Sequence, residues 1–449
     1  MEKKFEEEAL LYHSEGTAGK TGTIATKPFS SPEELALAYT PGVAAPAMAI
    51  AGNRWNAYRY TNKGNLVAVI SNGSSVLGLG NIGAIASKPV MEGKAMLFKV
   101  YADIDAFDIE LNDENADKFI ETVQSLSPTF GGINLEDIKS PDCFYIEKRL
   151  KELLDIPVMH DDQHGTAVAV SAALMNACEV AGKEYKHCRI VICGAGAAAI
   201  STARMLLATG IEKRNITMVD SRGVITGKRK DISDTKREFA TDRELTTLQQ
   251  AMAGADVFIG LSRGNLLGDK DILSMAGNAI IFALANPTPE ISYRKAKELR
   301  PDAVVATGRS DAPNQINNLL AFPYLFRGAL DTLATTINEE MKLAAARAIA
   351  SIVRNGTEEN GESGEKRIFG KEYIIPHSGD KRLLCAVSSA VARAAMESGV
   401  ARRSIASFDE YCGTLLCRVE SENSFNSEII RYKTNKHRHS GAWQKLEKF

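Results

Sequence analysis

Two groups of carboxylates stand out in the chain. The stretch Phe130-Gly-Gly-Ile-Asn134-Leu-Glu136-Asp137 sets adjacent acids just past an apolar run. Farther on, Ile156-Pro-Val-Met159 leads into His160-Asp161-Asp162-Gln-His164-Gly165. If the two runs are neighbouring parallel strands, their C-terminal ends gather Glu136, Asp137, Asp161 and Asp162 in one crevice, where open α/β sheets bind ligands. So many carboxylates repel one another unless a cation or protons intervene. An all-oxygen donor set of this kind suits Mg2+ or Mn2+. The competing reading has Asp137 and Asp162 capping helices that begin at Ile138 and Gly165, and spacing alone does not separate the two. His160 and His164 are spaced for a zinc pair only on a continuous helix. Gly165 places the helix start later, and no HExxH pattern occurs.

Other reactive side chains lie upstream. Pro89-Val-Met-Glu92-Gly-Lys94-Ala-Met-Leu-Phe-Lys99 reads as a helix with Lys94 among Met91, Ala95, Leu97 and Phe98. Burial would lower the Lys94 pKa and fit it for general-base work. A lysine that reaches back to water is the commoner fate. The glycine run Leu77–Gly83 (LGLGNIG) follows a strand and reads as a second turn near substrate. Tyr39 sits beside Thr40-Pro41-Gly42, and by itself that stretch says only that the chain turns there.

A nucleotide-binding unit opens at Arg189-Ile-Val-Ile-Cys-Gly194-Ala-Gly196-Ala197-Ala198-Ala199, in the form strand, G-x-G-x-x-A, helix. Gly194 permits the tight turn, Gly196 lets backbone approach a pyrophosphate, and Ala199 allows close helix–strand packing. The helix N-terminus offers free N–H groups to the phosphates. The next strand ends in Asp220, where a carboxylate would hold a ribose 2′-OH and so favour NAD. Arg222, Lys228, Arg229 and Lys230 follow and could neutralise the 2′-phosphate of NADP, so both cofactors stay open.

The elements that must position these residues alternate. Expected strands are Leu66–Ile70, Thr129–Asn134, Ile156–Met159, Arg189–Cys193, Ile216–Asp220, Asp256–Gly260, Ala279–Leu284 and Ala303–Thr307, with helices such as Glu114–Leu126, Pro141–Leu154, Gly165–Ala181 and Ala197–Thr209 between them. This alternation predicts an α/β chain with largely parallel sheets. It divides into a substrate and metal domain over residues 1–165, a Rossmann-type doubly wound domain over 166–402 with C-terminal helices, and a tail over 403–449. Residues 355–366 read as a polar, glycine-rich exposed loop, and 381–398 as an alanine-rich helix.

Bulk properties narrow the function class. The 449 residues are 44% hydrophobic and 24% charged, as in folded soluble proteins. With 54 basic and 56 acidic side chains, the net charge of −2 provides no long-range attraction for nucleic acid or an anionic membrane. The basic cluster Lys433, Lys436, His437, Arg438 and His439 reads as a solvated tail. Seven cysteines without CxxC pairs read as free thiols in a reducing compartment. The acidic N-terminus is no signal peptide and no apolar run could span a bilayer, so the expected location is cytoplasmic.

Taken together, these segments resemble the malic enzyme family in its shorter, prokaryote-type form. The stretches that carry the resemblance are Ala38–Ala45 (AYTPGVAA), Leu77–Gly83, Val90–Lys99 (VMEGKAMLFK), Ile104–Leu111 (IDAFDIEL), Phe130–Ile138 (FGGINLEDI), His160–Ala167 (HDDQHGTA), Ile192–Ala199, Val219–Val224 (VDSRGV), Phe282–Pro289 (FALANPTP), Thr307–Asp311 (TGRSD) and Pro313–Pro323 (PNQINNLLAFP). The resemblance implies oxidative decarboxylation of L-malate to pyruvate and CO2 with NAD or NADP and Mg2+ or Mn2+. It implies Glu136, Asp137 and Asp162 as metal ligands, Lys94 as base, Tyr39 as acid and Asp161 as the partner that orients Lys94 or shares its proton. Asn286 and Asn318 would bond substrate carboxylates, Asn286 would also touch the cofactor, and the protein would be a homodimer. The chain departs from the family pattern at Val76, Asn81, Ala199, Ala312 and Tyr324. A relative that binds NAD(P) without turnover, and a metal-dependent oxaloacetate decarboxylase, are the competing functions.

Overall fold

Two sheets organise the chain in the computed structural model, which describes residues 3–14, 18–76, 78–356, 358–359 and 366–437; for residues 3, 358–359, 422, 424–426 and 428–437 it describes the backbone alone. The first sheet contains β1 (Leu66–Ser71), β2 (Asp105–Glu110), β3 (Gly132–Leu135) and β4 (Val158–His160) in the order β2-β1-β3-β4. All its pairings are parallel. β1 is buried along its whole length, which explains its unbroken apolar run LVAVIS. β2 is an edge strand of sequence DAFDIE, and its alternating acids hid it from the hydrophobic pattern.

The second sheet is built from β5 (Ile190–Cys193), β6 (Ile216–Asp220), β7 (Gly223–Val224), β8 (Val257–Gly260), β9 (Ile280–Ala283) and β10 (Val304–Thr307), ordered β10-β9-β8-β5-β6-β7. Only β7 is antiparallel. Numbered within this sheet, the order is 3-2-1-4-5-6, and the order reverses between β5 and β8. A dinucleotide lies across that switch point in doubly wound sheets.

Several boundaries differ from the sequence expectation. β3 begins at Gly132, because Ser127-Pro128-Thr129 forms a single 3-10 turn. The helix after β4 begins at Asp161, not Gly165. His160 is its extended N-cap residue, and Asp161 and Asp162 occupy the first turn, where the helix dipole favours negative charge. Gly165 lies inside this helix for a packing reason: a Cβ there would come within 1.9 Å of Asp161 Oδ1. The capping reading of the acids also fails. Asp137 adopts a left-handed conformation at φ 53°, and the next helix starts only at Asp142.

The C-terminal helices return to the first sheet. Phe98, on the helix Ala84–Ala102, packs edge-on against Phe322 and Phe326 at centroid distances of 4.8 and 5.3 Å. Full burial of such a ring stabilises by about 2 kcal/mol. Buried Arg327 extends this junction, donating to Asn65 Oδ1 at 2.6 Å and to Asp331 at 2.5 and 2.8 Å. The stretch that sequence left as a tail forms the helix Phe408–His437, and its Arg418 reaches Asp103 at 2.8 Å. Cys385 and Cys412 form a disulfide between this helix and Arg382–Glu397, which corrects the expectation that all the cysteines are free thiols. Of the basic cluster near the C-terminus, Arg438 and His439 lie outside the described residues, as do Leu77 and most of the 355–366 loop. No described helix is long and apolar enough to cross a membrane.

Candidate active site

Lys94 projects from the helix Ala84–Ala102 toward the C-terminal ends of β3 and β4. It is 7% exposed, and its Nζ lies 2.5 Å from Asp161 Oδ2 and 3.0 Å from Glu136 Oε1. The ammonium also stands 3.9 Å from the centroid of the Phe322 ring, a cation–π contact that closes the apolar side. Burial by itself would lower the Lys94 pKa, as the sequence reading expected. Asp161 and Glu136 outweigh that effect and hold the ammonium above its ordinary value. In the opposite sense, burial pushes Asp161 up to about 7, with Lys94 offsetting part of the rise. The proton therefore rests on the lysine, with Asp161 Oδ2 in hydrogen-bond contact with it.

The acids that sequence analysis placed in one crevice do converge. Glu136, Asp137 and Asp162 offer carboxylate oxygens within 4.8 Å of one another. Asn134 donates to Glu136 Oε2 at 2.8 Å, and the Asp137 N–H donates to Asp162 Oδ2 at 2.8 Å. Burial raises Glu136 to about 7 and Asp162 to about 6, a penalty that a bound cation would relieve. Three carboxylates gathered this closely form a hard-oxygen donor set that fits one Mg2+ or Mn2+ ion.

Asn318 donates to Asp161 Oδ2 at 2.6 Å, so its amide orients the lysine's partner. Asn286 is exposed where the two halves approach: a Cβ at Gly78 would lie 2.7 Å from Asn286 O, and one at Gly308 would lie 2.9 Å from Asn286 Nδ2. Tyr39 is not brought to the cluster within this chain. It closes the helix Pro32–Ala38, is 75% exposed, and its phenol makes no hydrogen bond among the described residues. His160 and His164 do not form a metal pair. Burial pushes both down to about 4, and His164 is engaged by Glu147 and Lys342.

In the second sheet, Gly194 takes φ +130° and packs so closely that an added Cβ would lie 2.3 Å from Leu261 O. Gly196 caps the helix Ala197–Ala208 and faces open space, while Ala199 is buried as its packing role requires. Ala197 and Ala198 open that helix, with their N–H groups unpaired for phosphate. Asp220 ends β6 but is not free. It accepts Arg229 at 2.7 and 3.0 Å, Lys236 at 3.0 Å and the Arg222 N–H at 2.9 Å. The Arg222 guanidinium meets Asp231 instead, at 3.0 Å. Sequence reasoning missed buried Glu290, which accepts the Ser262 and Ala285 N–H groups and so ties together the loops after β8 and β9. No local pattern announces a carboxylate that acts on backbone from two other strands.

Gly194→Ala combines a backbone clash with an unfavourable φ. The expected result is at least about a tenfold loss of dinucleotide affinity, since such strain costs roughly 1–3 kcal/mol. Fluorescence titration with the reduced dinucleotides reads it, and an unchanged affinity would remove this turn from the nucleotide crevice.

A doubly wound crevice beside a lysine–carboxylate centre defines a dinucleotide-binding α/β protein with a metal-capable site. Sequence comparison narrows the class. The N-terminal domain model of malic enzymes matches residues 18–116 and 112–151, and the malic enzyme NAD binding domain model matches 163–363. The NADP-dependent malic enzyme of Escherichia coli (strain K12) is 52% identical over 435 residues, which is 96% of this chain and 57% of that protein. The NADP-dependent malic enzyme of Halomonas elongata is 52% identical over 398 residues, covering 88% of this chain and 94% of that one. The crystal structure of a malic enzyme from Pyrococcus horikoshii Ot3 superposes with a TM-score of 0.88 at 42% identity, covering 96% of this chain and 100% of that chain. This chain belongs to the malic enzyme family. It spans 57% of the length of the Escherichia coli relative.

Proposed function

We propose that the protein oxidatively decarboxylates L-malate to pyruvate and CO2, reducing NADP+ in preference to NAD+ and depending on Mg2+ or Mn2+. The observation that carries this reading is Lys94 held between Asp161 and Glu136 at the edge of the Glu136–Asp137–Asp162 triad. A divalent ion held by Glu136, Asp137 and Asp162 would supply Lewis-acid stabilisation of negative charge on the substrate, and a nicotinamide bound at the Gly194–Ala199 turn would supply the hydride acceptor. Lys94 takes the C2 hydroxyl proton as its own proton passes to Asp161 Oδ2, 2.5 Å away. Asn318 keeps Asp161 in place for that exchange. Asn286 stands at the mouth, where it serves substrate and cofactor.

The remaining step is protonation at C3, the role of Tyr39. Within one chain the phenol is exposed and far from forming any such contact. The neighbouring helix Ala44–Gly52 (AAPAMAIAG) contains no buried residue despite its apolar composition. Met48 on this helix and Leu35, Leu37 and Val43 before it are exposed. An apolar surface of this kind marks an interface. A homodimer in which a second copy covers this face would bring Tyr39 into a site, and it is the form in which the Tyr39 role is consistent.

The choice of NADP rests on Asp220. Because Arg229 and Lys236 already occupy its carboxylate, it cannot simply repel a 2′-phosphate, and the surrounding loop supplies positive charge. Removing the guanidinium with Arg229→Ala strips two charged bonds from Asp220 and leaves Lys236 as its remaining cationic partner. The ratio of kcat/KM for NADP+ to that for NAD+ then falls by about tenfold or more, the value of one charge-assisted contact. A ratio that stays constant would place specificity elsewhere.

The primary test supplies purified protein with L-malate, Mn2+ and either cofactor, and follows reduced-nicotinamide absorbance with pyruvate measured in parallel. Stoichiometric pyruvate that disappears with chelator and returns with Mn2+ is the expected result. Absence of signal from folded, metal-loaded protein would sink the proposal and favour a relative that binds without turnover.

A further inference from the structure

The helix Asp142–Leu153 lies behind the carboxylate cluster and carries Glu147, a buried carboxylate that the reaction does not use. Its carboxylate makes three contacts. It accepts the His160 N–H at 3.2 Å, a His164 ring nitrogen at 2.9 Å and Lys151 Nζ at 2.8 Å. His160 immediately precedes Asp161, and His164 sits within the same first turns of the helix Asp161–Val180. One side chain therefore grips the chain on both sides of Asp161 and Asp162.

The grip is directional. On the other face of the His164 ring, Nδ1 meets the Nζ of buried Lys342 at 3.1 Å. An ammonium can only donate, so Nδ1 must accept and the ring proton must lie on Nε2. That tautomer donates to Glu147. Lys342 is held in turn by Glu339 Oε1 at 2.5 Å, on the helix Glu339–Arg354 of the C-terminal half. The turn bearing Asp161 and Asp162 is thus clamped from two helices through charged bonds in a buried setting, where such bonds are strong and their loss is costly.

We infer that Glu147, acting through the His160 N–H and the His164 ring that Lys342 orients, is a positioning residue that holds Asp161 and Asp162 in register with Glu136 and Asp137. This inference rests on the metal-centre reading of the Glu136–Asp137–Asp162 triad. Among the described residues, the Glu147 carboxylate bonds the His160 N–H, the His164 ring and Lys151 rather than the triad's ligand atoms or Lys94, so its effect is through placement alone. A carboxamide of the same shape replaces one acceptor oxygen with a donor, so Glu147→Gln must lose at least one of the bonds to this turn.

The test counts free Mn2+ by electron paramagnetic resonance during titration of the full-length chain, and measures NADPH binding by fluorescence on the same samples. Groups that orient a metal's ligands are worth 10–100-fold in affinity. Glu147→Gln should therefore raise the Mn2+ Kd by about tenfold or more, with NADPH affinity within about twofold of the parent, since the cofactor crevice lies on the other sheet. Lys342→Met, which releases the His164 tautomer without touching Glu147, should raise the Mn2+ Kd by a smaller factor, and it decides the matter if Glu147→Gln does not fold. A Kd unchanged in the folded variants overturns the inference, and so does an equal loss of Mn2+ and NADPH binding. A parent chain that binds no Mn2+ would instead sink the metal-centre reading together with it.

Discussion

Lys94→Ala lowers malate turnover by about 10²–10⁴-fold, the range over which a positioned general base contributes. Two further results make this expectation specific to proton transfer. Lys94→Arg retains the positive charge between Asp161 and Glu136 but cannot release a proton near neutral pH, so it should be as inactive as the alanine variant. If charge balance alone mattered, arginine would rescue. The Mn2+ affinity of Lys94→Ala should be no weaker than that of the parent, because the ammonium 3.0 Å from Glu136 competes with a metal ion for the same carboxylate. Steady-state kinetics with Mn2+ titration reads all of these outcomes. Near-normal turnover in either variant would remove Lys94 from the chemistry.

Arg327→Met has the largest expected effect on stability. The guanidinium is buried, and it links the helix Phe322–Asp331 to Asn65 and to the backbone oxygens of Ala102 and Asp103 at the end of the Lys94 helix. Methionine matches much of its length but leaves Asp331 without its ion pair and Asn65 with a weaker donor set. Breaking a buried pair by removing one partner costs about 3–5 kcal/mol. A shift of that size should appear in the urea midpoint at constant slope. The same helix carries Phe322, whose ring faces the Lys94 ammonium, so KM for malate should rise as the junction loosens. A destabilisation below about 1 kcal/mol would show that the tertiary junction rests on the aromatic contacts instead.

Much of the scaffold was legible in the chain. β1 and β6 appear within one residue of their expected spans, because strands buried on both faces read as continuous apolar runs. The glycine turn at Gly194 and the convergence of Glu136, Asp137 and Asp162 were legible for the same reason: parallel strands bring their C-terminal ends to one side. β2 was not legible, since an edge strand need not be apolar. The start of the helix at Asp161 was misplaced because Gly165 looks like a helix breaker locally, whereas it is required by the Asp161 carboxylate folded over it.

What the sequence by itself determined was the kind of chemistry and the frame that serves it: an acid cluster, a lysine in an apolar helix, a dinucleotide turn, and the alternation that arrays them at strand ends. Those follow from residue type and short-range spacing, which local sequence contains. Only the tertiary structure decided the state of each group. It showed that Lys94 is held as an ammonium rather than deprotonated by burial, that Asp220 is already paired with Arg229 and Lys236, that Asn318 donates to Asp161, and that Tyr39 lies exposed on the surface of the chain. Each of these depends on charges or surfaces brought together from distant parts of the chain. Electrostatic balance in a buried site is set by such distances, and no local pattern records them.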